Sequence, residues 1–160
     1  MTSQLPFVRV RGGLELRLSP EESDVLRPLL TQMLEVLETE SEAEDARRLF
    51  PPAYLDDDEA EADFRRFTRD ELLEGKRRSL RIADSTFDKA RLRRGKLAAR
   101  IDGEEQQAWL SSLNDLRLFL GTRLNVSEDM YDEVGENPDP AMQIYLYLGW
   151  LQESLLSTLL

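Results

Sequence analysis

Apolar positions are densest at the end of the chain, between Asp139 and Leu160, in the run DPAMQIYLYLGWLQESLLSTLL. Asp139 is a good N-cap, and Pro140 fits the first helical position, where a missing N–H costs nothing. On a 100° wheel, Ile144, Tyr147, Leu148, Leu151 and Leu155 cover one side of this segment. Met142, Leu146, Leu156 and Leu160 cover the other. A helix that is apolar almost all round is buried on most of its circumference, so residues 139–160 are predicted as a central core helix. Gln143, Gln152 and Glu153 interrupt the run too soon for a membrane span.

The remaining pattern predicts a hairpin and more helices. Apolar and polar residues alternate on both sides of Gly12 and Gly13 in FVRVRGGLELRL, which predicts a β-hairpin over residues 7–18. An isolated hairpin is marginal in water, so its apolar face must lie on helices. Ser19, Pro20 and Glu22 then form a capping-box start for a helix to about Glu38, with Leu26, Leu29, Leu30, Met33 and Leu37 at helical spacing. A short helix is predicted at Glu42–Leu49, and another helix opens at Asp56. Thr68 to Glu71 is a second capping box, which predicts a helix running to about Arg94. Asp102 caps a further helix bearing Trp109, Leu110, Leu113, Leu116, Leu120 and Leu124, and Ser127 caps a short one. The sum is a mainly α single domain, residues 1–160. A helical bundle of five to seven helices (residues 19–160) carries the N-terminal hairpin.

Composition narrows the chemistry. The chain has neither cysteine nor histidine, which removes thiolate chemistry, the commonest general base and the commonest metal ligand. Phosphate-loop, dinucleotide and nucleophile-elbow signatures are absent too, so neither an enzyme nor a cofactor is expected. The N-terminus has no export signal, which makes the cytoplasm the expected location. The net charge of −11 is segregated: residues 35–63 balance at −10, residues 64–100 at +8 and residues 101–160 at −9.

Two sets of charges are candidate sites. Arg117 and Glu153 fall inside apolar faces of their helices, and a lone buried charge is costly. They are expected to pair across two packed helices as a structural element, with Asn114 or Gln152 completing the hydrogen bonds. The competing reading makes Glu153 a desolvated acid of a carboxylate-based enzyme. The second set is the basic helix 76–94, with Arg77, Arg78, Arg81, Arg91, Arg93 and Arg94 as a binding surface. Its charges are read first as met by the acidic stretch 35–63 or as a solvated face; as a binding surface, its expected partner is an acidic protein. Nucleic acid is the alternative, disfavoured because no aromatic residue outside the core stripe is available to stack on bases. The acids Asp56 to Glu59 are read as complementing a helix dipole rather than holding a metal. A homodimer through surplus apolar surface stays open.

Five blocks, RGGLELRLSPEE, LFPPAY, DFRRFTRDELLEGKR, AWLSSLNDLRLFLGTRL and IYLYLGWLQESLL, resemble an actinobacterial domain-of-unknown-function family of small helical cytoplasmic proteins. The resemblance implies a gene neighbourhood that includes the adaptor feeding the Clp protease and genes of sulfur assimilation. It implies no activity and no catalytic residue. The expected function is a non-catalytic protein-interaction or regulatory module.

Overall fold

The computed structural model describes residues 5–39, 58–124 and 139–160, and their side chains except at 58–70 and Leu124. Strands β1 (Phe7–Val10) and β2 (Gly13–Leu18) form the expected hairpin, followed by helix α1 (Pro20–Glu38). Helix α2 (Asp58–Lys89) leads into a second hairpin, β3 (Arg91–Arg93) and β4 (Lys96–Ile101). Helices α3 (Gly103–Leu124) and α4 (Pro140–Leu159) complete the chain.

The four strands form one antiparallel sheet in the order β1-β2-β4-β3. The second hairpin corrects the expectation of a helix to Arg94. Arg94 and Gly95 both adopt positive φ, 50° and 79°, the geometry of the tight two-residue turn that matches strand twist. Beyond the turn, Leu97, Ala99 and Ile101 stand opposite Leu18, Leu16 and Leu14 on one face of the sheet. Burying that face outweighs the helical preference of the arginines, which amounts to only tenths of a kcal/mol per residue (about 0.2–0.7).

Four helices lie among the described residues, fewer than the five to seven expected. The start expected at Asp56 lies outside the described residues, and from Asp58 the chain runs through Thr68 as one continuous α2. No Gly or Pro precedes Thr68 within the helix to break it, and a capping box starts a helix only where the chain arrives non-helical. The segments expected as helices at Glu42–Leu49 and after Ser127 lie outside the described residues.

The start signals at Ser19, Asp102 and Asp139 all operate. Ser19 and Glu22 close a reciprocal capping box, and Asp102 and Glu105 close another. Asp139 Oδ1 accepts from the Met142 N–H at 2.8 Å. Tyr147 on α4 donates to the free Glu22 oxygen at 2.5 Å, which ties α4 to the cap of α1. Burial, with help from Glu22, pushes the Tyr147 hydroxyl well above the ordinary tyrosine range.

The central position belongs to α3, which packs against α1, α2 and α4, and not to the C-terminal helix as the apolar pattern suggested. Trp109 on α3 is fully buried. It donates to Thr86 Oγ1 at 2.9 Å and meets the rings of Phe7 and Phe87, so it joins sheet, α2 and α3. On α4, Leu148, Leu151 and Leu155 are buried, but Trp150, Glu153, Leu156 and Leu160 are exposed. An apolar wheel records which side chains tolerate burial; it does not count how many faces find a neighbour. No described helix is long and apolar enough to cross a membrane.

Candidate anion-binding face

Strand alternation sorts the sheet into two faces. Phe7, Leu14, Leu16, Leu18, Ala99 and Ile101 are buried against the helices. By register, Glu15 and Arg17 of β2, Lys96, Ala98 and Arg100 of β4, and Arg91 and Arg93 of β3 share the opposite face. Five cations therefore stand there with one acid. Glu15 is held by Arg17 at 2.7 Å and approached by Arg93 at 3.7 Å, and the Arg100 guanidinium donates to the Arg11 carbonyl. Arg91, Arg94 and Lys96 have no acidic partner among the described residues. Glu15, Arg17, Arg93, Arg94, Lys96 and Ala98 line an open depression of about 100 Å³.

The six arginines expected to act together are divided between two elements. Arg77, Arg78 and Arg81 lie on α2, and each is engaged by the protein itself. Arg77 donates to the Leu37 carbonyl at 2.6 Å, so it satisfies the C-terminal end of α1. Arg78 pairs with Glu104 at 2.9 Å. Arg81 pairs with Glu74 at 3.3 Å and with Glu38 at 3.6 Å. Arg91, Arg93 and Arg94 belong to the second hairpin. Sequence reasoning missed Arg17 and Lys96 as neighbours of this trio. The alternation in KLAARI carried the signal, but it pointed to a sheet face only once β4 was paired with β2.

The expected Arg117–Glu153 pair does not form. Arg117 donates to Gln152 Oε1 at 2.8 Å, lies across Gly149 and stacks 5.5 Å over the Tyr145 ring. Gln152 in turn donates to Asn114 Oδ1 at 3.3 Å. Arg117 and Gln152 are partly buried, whereas Asn114 and Glu153 are exposed. A guanidinium stacked on a ring and bonded to an amide needs no carboxylate, and a neutral partner avoids desolvating a second charge. Glu153 therefore lacks the leucine-enclosed setting that a catalytic acid would require.

The buried ion pair is elsewhere. Asp115, 2% exposed, accepts from Lys76 on α2 at 3.0 Å. Burial raises the Asp115 carboxyl above its usual range, and the Lys76 ammonium works against the rise. Ala108, Ser112, Asp115 and Phe119, all buried, recur at helical spacing along α3. That stripe is the sequence signal of a second covered face.

No curated protein matches the chain, and no solved structure does. A family model described as Domain of unknown function (DUF2017) matches residues 4–159, almost the whole length over which the sheet face and the four helices are built, and the chain belongs to that family.

Proposed function

We propose that this protein is a non-catalytic interaction module that binds an acidic segment of a partner protein through the outer face of its sheet. The observation that carries this reading is the unneutralised trio Arg91, Arg94 and Lys96 beside the depression shared with Arg17 and Arg93. Cations left without internal partners concentrate anions and speed encounter. Arg94 adds weight, because it holds φ 50° at a turn position where glycine would cost less. The bound anion is a short segment. A long polyanion would run past the basic face onto the acidic surface of a chain of net charge −11, whereas a short acidic stretch meets only the charges within a Debye length of about 8 Å. Nucleic acid fits less well, since no aromatic side chain stands on the outer face to stack on bases. The gene neighbourhood implied by the family resemblance makes a regulatory role beside proteolysis or sulfur assimilation part of the same proposal.

Retention on an immobilised short acidic peptide tests the reading. The Arg91→Glu/Arg94→Glu/Lys96→Glu variant loses salt-sensitive retention, and Arg78→Glu/Arg81→Glu keeps it. Equal retention of the two folded variants overturns the assignment to the sheet.

A further inference from the structure

The two edges of the sheet are finished differently. The β1 edge is closed by the end of α4: Arg9 donates twice to the Thr158 carbonyl, at 3.0 and 2.7 Å, and the Thr158 hydroxyl, which donates to the Ser154 carbonyl at 2.8 Å, stands 3.5 Å from the Phe7 carbonyl. The β3 edge has no such cover among the described residues, and Arg91, Leu92 and Arg93 are all exposed, Leu92 to 65%. In a hairpin with a two-residue turn the residues flanking the turn exchange both hydrogen bonds, which here are Arg93 and Lys96. Leu92, one residue back, therefore points its N–H and C=O away from β4. Its side chain falls on the helix-facing side of the sheet, by register with Leu97, while Arg91 and Arg93 fall on the outer side.

We propose that β3 is a docking edge for an extended acidic peptide, which adds to the sheet as a fifth strand. This rests on the anion-binding reading above and specifies its mode. The peptide pairs its backbone with Leu92 and places an apolar residue beside that side chain. On either side of it, acidic residues face Arg91 and Arg93, so the required pattern is acid–apolar–acid. Exposed edges are hazards that proteins blunt with charge, and these charges also choose the occupant. A second copy of the chain is a poor one: antiparallel pairing of two β3 strands about Leu92 sets Arg91 against Arg93 in both directions, and like charges directly opposite repel.

The test uses the full chain and a labelled, end-capped seven-residue peptide of alternating glutamate and valine, followed by fluorescence anisotropy at low salt. Two probes address the strand mode. Leu92→Pro removes the outward N–H without touching the β4 pairing, a position where edge strands accept proline. A peptide N-methylated at its central residue removes the donor from the other side and leaves the protein unaltered. Each is expected to weaken binding about tenfold, the worth of one directed hydrogen bond. Arg91→Glu/Arg93→Glu is expected to abolish it, and inorganic triphosphate to compete poorly. If the charge reversal abolishes binding while Leu92→Pro and the methylated peptide bind like their parents, strand addition is overturned and the anion-binding face stands. If the peptide does not bind the wild type, or binds the charge-reversed protein equally, both are overturned.

Discussion

The basic stretch between residues 64 and 100 crosses two surfaces that treat its charges in opposite ways. Along α2, each of Lys76, Arg77, Arg78 and Arg81 meets a carboxylate or a carbonyl from α1, from α3 or from its own helix. Along the second hairpin, Arg91, Arg94 and Lys96 meet none among the described residues. Residue type is nearly the same in the two halves; what differs is supply. A helix laid between two others has oxygen-bearing neighbours on both sides, whereas an edge strand has a neighbour on one side only. The helical charges therefore belong to the fold, and the hairpin charges remain for a partner. Substitutions in the two halves should accordingly move different observables.

The largest stability effect belongs to Lys76→Met. It leaves Asp115 buried without its counter-charge and should cost about 3 kcal/mol at neutral pH by urea denaturation. Adding Asp115→Leu should recover most of that loss, because the uncompensated charge disappears. The pH dependence follows from the raised Asp115 carboxyl. Between its usual pKa and the higher folded value, the folded state binds more protons than the unfolded one, so this group's contribution to stability falls as pH rises through that interval. Removing Lys76 lifts the folded value further. The penalty of the single variant should therefore be greatest near neutrality and shrink as pH drops towards the ordinary carboxylate range. A penalty independent of pH would mean that packing of the lysine stem, not the charge, is what Lys76 contributes.

A smaller effect sharpens the contrast between the halves. Arg77→Ala strips a charged donor from the last turn of α1 and should cost about 1.5 kcal/mol. Arg91→Ala, on the open edge, should stay within about 0.5 kcal/mol of wild type. Retention on the acidic peptide should reverse the order, with Arg91→Ala weakened and Arg77→Ala unaffected. A loss of retention in Arg77→Ala would dissolve the division between fold charges and partner charges.

Much of this division was beyond the reach of the sequence. Caps at Ser19, Asp102 and Asp139 are local devices spanning four residues, so they were readable and hold. The first hairpin was readable for the same reason. The second was hidden because ARLRRGKLAARI satisfies helical propensity up to Gly95, and only pairing with β2, far away in sequence, makes it sheet. The Arg117–Glu153 expectation failed on the same ground. A wheel places both residues among leucines, but the next position, Gln152, is the one turned towards Arg117. That α3 rather than α4 is central depends on which helix has neighbours on all sides, and no single helix carries that information.

The smallest effect expected is the most diagnostic, because its two readouts run in opposite directions. Arg94 occupies a left-handed conformation that disfavours side chains with a Cβ, and among the described residues it makes no ion pair that would offset the cost. Arg94→Gly should therefore raise stability, by up to about 1 kcal/mol, since the strain relieved exceeds the extra freedom given to the unfolded chain. It should also weaken binding of the acidic peptide, because the depression lined by Arg93, Arg94 and Lys96 loses one of its cations. Gly95→Ala in the same turn makes the opposite change: it adds strain at φ 79° and leaves every charge in place. It should lower stability by about 1 kcal/mol and spare binding wherever the protein is folded. A stabilised Arg94→Gly that binds normally would show that the turn, not its charge, is what the hairpin needs. If Arg94→Gly is destabilised instead, the arginine is held by an interaction of the folded state, and Arg94 moves to the fold side of the comparison.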